Sequence, residues 1–227
     1  MPEAPSAVRE LAEDATSRKK FLRQAGGTGI AASLGAFIAA CGGDSSMTSS
    51  QKPAATSTAT AMMGSGTEQF GKGDLGIANY ALTLEYLEAD FYAKVANSGM
   101  LKGKLLDTAR RFGNEEQAHV DALIALIKKA GGKPASKPEA RFPLDDEKSI
   151  LKLAATVENL GANAYLGQAG NIRGKEILAA ALSIHSVEAR HAAVLNLATG
   201  AKPAKGPFAQ GVSADEVLKS VKPFLAS

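Results

Sequence analysis

An internal repeat limits the fold of this chain more than any other feature. "TLEYLEADFY" (Thr83 to Tyr92) lies over "TVENLGANAY" (Thr156 to Tyr165) without a gap, matching at Thr, Glu, Leu, Ala and Tyr. Downstream, "EQAHVDAL" (Glu116 to Leu123) lies over "EARHAAVL" (Glu188 to Leu195), which places Glu116 on Glu188 and His119 on His191. Glu85 and Glu116 are 31 positions apart, Glu158 and Glu188 are 30 apart. Self-similarity on this scale decides the architecture before any single residue does.

Four long segments with a helical apolar period carry the repeat. The first runs from about Asp74, read as its N-cap, to Ala96, and the second from about Lys102 to Lys129, closed by Gly131 and Gly132. The third spans about Asp146 to Gln168 and the fourth about Gly174 to Ala198, before Gly200. Short loops make each consecutive pair an antiparallel hairpin. Between the hairpins lies "GGKPASKPEARFPLDD", which at about 3.3 Å per extended residue can run the length of a helix bundle. The predicted fold is therefore all-α: a four-helix bundle of two hairpins joined by a long crossover. Residues Ser213 to Phe224 add a short C-terminal helix outside it. With 5% aromatic residues and no tryptophan, the composition also favours helices over sheet.

Positions three and four apart share a helix face. In the second segment that face reads Leu105, Ala109, Phe112, Glu116, His119, Leu123, and in the fourth Ile177, Ala181, Ile184, Glu188, His191, Leu195. The first and third carry Glu85 and Glu158 on stripes that are otherwise mostly apolar. All four helices thus aim a carboxylate at the core, with no inward lysine or arginine to meet it. Ionised carboxylates in such an interior cost several kcal/mol each unless something cationic compensates. Two divalent cations balance Glu85, Glu116, Glu158 and Glu188, with neutral His119 and His191 completing the ligand sets; Glu85 and Glu158 are expected to bridge them. Oxygen-rich ligation with a minority of imidazole suits Fe, or alternatively Mn, better than structural Zn.

Neighbouring residues admit more than one role. Glu88 shares the site face while its repeat partner is Gly161, so it is either an additional ligand or the outer edge of the stripe. Tyr92 and Tyr165 are either hydrogen-bond donors to ligand carboxylates or packing residues. Glu115 and Asp121 are read as surface charges. His185 matches Gly113 in the other hairpin and points away from Glu188, which makes it a non-ligand.

The N-terminal third is an address and a spacer. "SRKKFLR" followed by "QAGGTGIAASLGAFIAAC" has the layout of a signal peptide over residues 1–40, too short and glycine-rich to span a membrane comfortably. Residues 41–71 are rich in Ser, Thr, Ala and Gly without a hydrophobic period and read as a flexible tether. The bundle is expected over 72–200 and a C-terminal extension over 201–227. One cysteine, Cys41, excludes a disulfide framework and a thiolate metal cluster. The net charge is +3 with dispersed basic residues, which argues against nucleic acid as a partner.

Several of these motifs resemble known ones. "SRKKFLR" resembles the twin-arginine export motif, with Lys19 where the second arginine normally stands, so twin-arginine and general secretory export both remain open. "IAAC" resembles a bacterial lipobox, which implies that Cys41 is lipidated and holds the mature protein on a cell-envelope membrane. Through "LEYLEADFY", "EEQAHVDAL", "AYLGQAG" and "VEARHAAVL", the chain from about Phe70 to Leu197 resembles the ferritin-like superfamily, and within it the exported bacterial ferritin-like proteins. That resemblance implies a di-iron or di-manganese carboxylate centre, redox-active toward O2 or peroxide as an oxidase, ferroxidase or peroxidase-like site in oxidative-stress defence. It equally implies a non-enzymatic, stress-protective lipoprotein with a structural metal site. A homodimer is compatible with either.

Overall fold

The computed structural model describes residues 66–226. The leader, Cys41 and nearly all of the tether lie outside the described residues. Four long helices, α1 (Gly73–Asn97), α2 (Gly103–Lys129), α3 (Glu147–Ala169) and α4 (Lys175–Ala198), are followed by a short α5 (Ala214–Val221), with 3-10 turns at Glu68–Phe70 and Lys222–Phe224. Helix α1 packs along α2 and α3 along α4, and the hairpins meet through α1 with α3 and α2 with α4. The fold is the expected all-α arrangement of two hairpins, with residues 130–146 crossing between them.

Local chemistry explains most of the boundaries. Asp146 caps α3: its carboxylate accepts from Ser149 N at 2.7 Å, and Ser149 Oγ accepts from Asp146 N at 3.1 Å, a reciprocal box. Helix α2 stops where Gly131 takes φ 77, a left-handed conformation that costs glycine little. Asp74 departs from expectation. Helix α1 starts at Gly73 with Lys72 in the N-cap position, and the Asp74 carboxylate instead accepts from Gly174 N at 2.6 Å and Arg173 N at 3.1 Å. It therefore satisfies backbone amides of the turn that leads into α4, in the other hairpin.

The interior divides into layers. One apolar cluster gathers Ile77, Leu82, Val120, Leu123, Ile127 and Ile184; another gathers Phe91, Val95, Phe112, Ile150, Ala154 and Leu195. The inward glutamates fall between these two sets along every helix, so a charged layer sits midway down an otherwise apolar bundle. Buried Asn79 ties α1 to its surroundings, donating to Phe70 O and Lys133 O and accepting from Ala135 N.

Helix α5 lies outside the four-helix core but is packed onto it. Its Ala214, Val217 and Val221 are buried with Tyr80, Leu84, Leu87 and Ala164 on the outer face of α1 and α3. The chain end also pairs with the crossover, through Arg141 N to Phe224 O and Ala226 N to Glu139 O. Close approach at Gly167 permits this docking: a Cβ there would lie 2.1 Å from Val212 O. Gly167→Ala is expected to destabilise the domain by about 1–3 kcal/mol through overpacking against backbone, measured as a lower denaturant midpoint; an unchanged midpoint would mean the segment shifts freely.

Candidate metal centre

Amphipathic period brings one carboxylate from each long helix into the middle layer. Glu85 (α1), Glu116 (α2), Glu158 (α3) and Glu188 (α4) are all fully buried, and His191 is nearly so. Their atoms form two overlapping groups. Glu85, Glu116, His119 and Glu188 each offer a ligand atom within 4.8 Å of the others, and Glu116, Glu158, Glu188 and His191 do the same. Each group is a cage of three carboxylates and one imidazole. Glu116 and Glu188, from the Glu-x-x-His helices, belong to both groups, whereas Glu85 and Glu158, the bridges expected from the sequence, each belong to one.

The hydrogen-bonding pattern tests whether this donor set fits cations. His119 Nδ1 lies 2.9 Å from Glu116 Oε2, 3.2 Å from Glu85 Oε2 and 3.3 Å from Glu188 Oε1. His191 Nδ1 lies 2.9 Å from Glu116 Oε1 and 3.3 Å from Glu158 Oε2, close enough for an ion pair but off hydrogen-bond geometry. One N–H cannot satisfy several acceptors converging on it. Glu116 Oε1, Glu158 Oε2, both Glu188 oxygens, Glu88 Oε2 and His191 Nδ1 are buried without a hydrogen-bond partner. Orphaned buried acceptors of this kind are costly, and hard cations are what carboxylate oxygens and imidazole nitrogens jointly hold. The residues fit a pair of metal ions.

Without metal, protons must supply the compensating charge. Burial raises Glu85 to about 7, helped by the nearby Glu116 and opposed by His119. Burial, then repulsion from the other glutamates, lifts Glu88 and Glu188 well above the carboxylate range, and burial also raises Glu158. Glu116 goes the other way: burial opposes ionisation, but the two histidines hold it down to about 2. Burial disfavours imidazolium too, yet the surrounding carboxylates raise His119 to about 12 and His191 to about 10.

The chain's own residues then fix the cage. Tyr92 donates to Glu158 Oε1 and Tyr165 to Glu85 Oε1, each reaching across to the opposite hairpin. These bonds orient the other oxygen of each carboxylate toward its histidine. Glu88 is buried as well but belongs to neither group. A Cβ on Gly161 would meet Glu88 Oε1 at 2.7 Å and Glu188 Oε2 at 3.0 Å. The break in the repeat is thus physical: glycine on α3 makes room for the extra carboxylate from α1. His185 faces elsewhere, with Nδ1 2.9 Å from Ala162 O. Glu115 does not simply face solvent as expected; its Oε2 lies 2.6 Å from His191 Nε2. The only hint in the sequence was the Glu-Glu pair, whose first member has Val187 as counterpart.

This layout matches a known family. The model of the ferritin-like domain matches residues 73–201, more than half of the chain. The chain belongs to the ferritin-like domain family. Seven solved chains resemble this ferritin-like bundle significantly. Among them is a conserved hypothetical protein, rv2844, from Mycobacterium tuberculosis, 18% identical, with a TM-score of 0.52, covering 60% of this chain and 96% of that one. At that identity the likeness concerns the fold alone. No curated protein matches significantly. The ferritin-like domain ends before α5, so the C-terminal helix and its docking are additions to the bundle.

Proposed function

We propose that the chain is an exported, lipid-anchored ferritin-like protein whose bundle holds two iron ions, or two manganese ions, in a redox-active centre for metal oxidation or peroxide removal. The observation that carries this reading is the pair of overlapping Glu/His groups whose buried ligand atoms lack other partners. Glu85, Glu116 and His119 with Glu188 would hold one ion, and Glu116, Glu158, Glu188 and His191 the other. When Glu88 keeps its proton, the remaining four carboxylates balance two divalent ions. Such a pair supplies, when bound, one-electron redox capacity toward O2 or peroxide.

The surrounding chain supplies position, dryness and access. Tyr92 and Tyr165 hold Glu158 and Glu85 in register, and the apolar clusters above and below exclude bulk water. A cleft of about 310 Å³, lined by Arg111, Glu115, Ala118, His119, Val187, Arg190 and His191, leads from solvent to the two histidines. Glu88 can hold a proton beside Glu188 or release it. Export and anchoring rest on the leader and Cys41; among the described residues no helix is long and apolar enough to cross a membrane.

Purified chain loaded anaerobically with Fe(II) and then given air or peroxide is expected to oxidise the iron faster than protein-free solution does. Iron that oxidises no faster, with no peroxide consumed, sinks the redox reading. Complete burial of the four glutamates favours a second reading, in which the ions only hold the helices together. In that case metal raises the melting temperature and no turnover follows under any oxidant.

A further inference from the structure

The repeat makes the two halves of the centre look equivalent, yet their surroundings differ at His119 and His191. His191 is gripped from two sides. Its Nε2 lies 2.6 Å from Glu115 Oε2, and its ring stacks on Phe112 at a centroid distance of 3.8 Å and an interplanar angle of 21°. The register that places Glu116 on Glu188 places Glu115 on Val187 and Phe112 on Ile184. In the other half, therefore, an aliphatic residue stands at each position that supports His191. Exposure follows the same division: both histidines line the cleft between α2 and α4, but the His191 side chain is 3% exposed and that of His119 12%.

A carboxylate accepting the distal N–H of a histidine fixes its tautomer, locks the ring and makes the opposite nitrogen a better ligand. With a cation bound, His191 would keep its proton on Nε2, shared with Glu115, and leave Nδ1, on the side of Glu116 and Glu158, free to ligate. Arg111 lies along the same side, with Nε 3.7 Å from Glu115 Oε1, a further restraint on the carboxylate.

We propose that Glu115 is a positioning residue that makes the two cation positions unequal. Acting through His191, it makes the position formed by Glu116, Glu158, Glu188 and His191 the tighter one, filled first. The position of Glu85, Glu116, His119 and Glu188, whose histidine is the more exposed and lacks such a carboxylate, is the weaker and exchangeable one. This inference rests on the two-cation reading above.

The test is titration of the metal-free full chain with Mn(II), followed by calorimetry, beside Glu115→Ala, Glu115→Gln and Val187→Glu. The wild type is expected to bind in two resolved steps. Glu115→Ala weakens the first step by about 10- to 100-fold and leaves the second nearly unchanged. Glu115→Gln, which keeps an acceptor oxygen without the charge, gives an intermediate loss. Val187→Glu, which offers His119 a carboxylate, tightens the second step and draws the two together. Thermal midpoints of the metal-free variants stay close to wild type, which separates positioning from a general structural role. Two equal steps in the wild type, or a Glu115→Ala effect spread evenly over both steps, overturns the proposal while leaving the two-cation reading intact. No binding by the wild type overturns both. Should Glu115→Ala not fold, Glu115→Gln and Val187→Glu carry the test alone.

Discussion

Replacing Glu116 by glutamine is expected to abolish binding at both cation positions, whereas replacing Glu85 by glutamine removes only one. The difference follows from which residues the two Glu/His groups share. Glu116 lies within 3 Å of both histidines, through Oε2 to His119 and Oε1 to His191. Among the described residues no other carboxylate lies that close to both, and glutamine keeps its volume while removing the charge. Partners of metal ligands are already worth about 10- to 100-fold in affinity, so loss of a shared ligand should exceed about 100-fold at each position. Glu188→Gln should behave like Glu116→Gln, and Glu158→Gln like Glu85→Gln, each judged by metal content after equilibrium dialysis against Mn(II). A Glu116→Gln protein that still retains one ion at wild-type affinity would show that the sharing is misassigned.

The second large effect concerns stability and pH. In the metal-free chain Glu85 is raised from 4.5 to about 7, with Glu88, Glu158 and Glu188 raised in the same direction. The folded state thus holds protons that the unfolded chain releases near pH 4.5; the Glu85 contribution is complete below 4.5 and is lost as pH rises through about 7, and those of the other three are lost in the same direction. His119 and His191 are also raised; their contribution is full below 6.5 and disappears only as pH passes about 10 to 12. Glu116, lowered to about 2, contributes above 4.5 and is lost toward pH 2. The metal-free domain is accordingly most stable in mild acid, and its Tm should fall by on the order of 5–10 °C between pH 5 and 8. Metal replaces those protons, so the loaded protein should gain most over the metal-free form at pH 8 and least at pH 5. Melting curves with and without Mn(II) check this; a metal-free Tm that rises from pH 5 to 8 would contradict the assignment of protons to the buried layer.

What the sequence disclosed and what it hid divide along a physical line. Helix positions and the inward turn of Glu85, Glu116, Glu158 and Glu188 follow from a 3.6-residue period, which is local, and the repeat made the local signal unambiguous. Contacts set by the rotation and axial register of one helix against another were hidden. The period places Glu116 on the core face but does not say that it lies within 3 Å of both histidines. Glu115 is only 100° around the helix from Glu116, a position that can face solvent or a neighbouring helix. Asp74 reads as the N-cap of α1, but its carboxylate instead accepts from the backbone just ahead of α4, a hundred residues away. Likewise α5 shows an apolar face in Ala214, Val217 and Val221, but nothing local announces that α1 and α3 receive it.

Metal-free full chain titrated with Mn(II) in two buffers of different ionisation enthalpy puts the central claim to its most direct test. Binding that saturates at two ions per chain, with release of two or more protons near pH 7 from His119, His191 and the raised carboxylates, is the predicted result. No saturable binding, or binding without proton release, would contradict a two-cation centre in the buried layer.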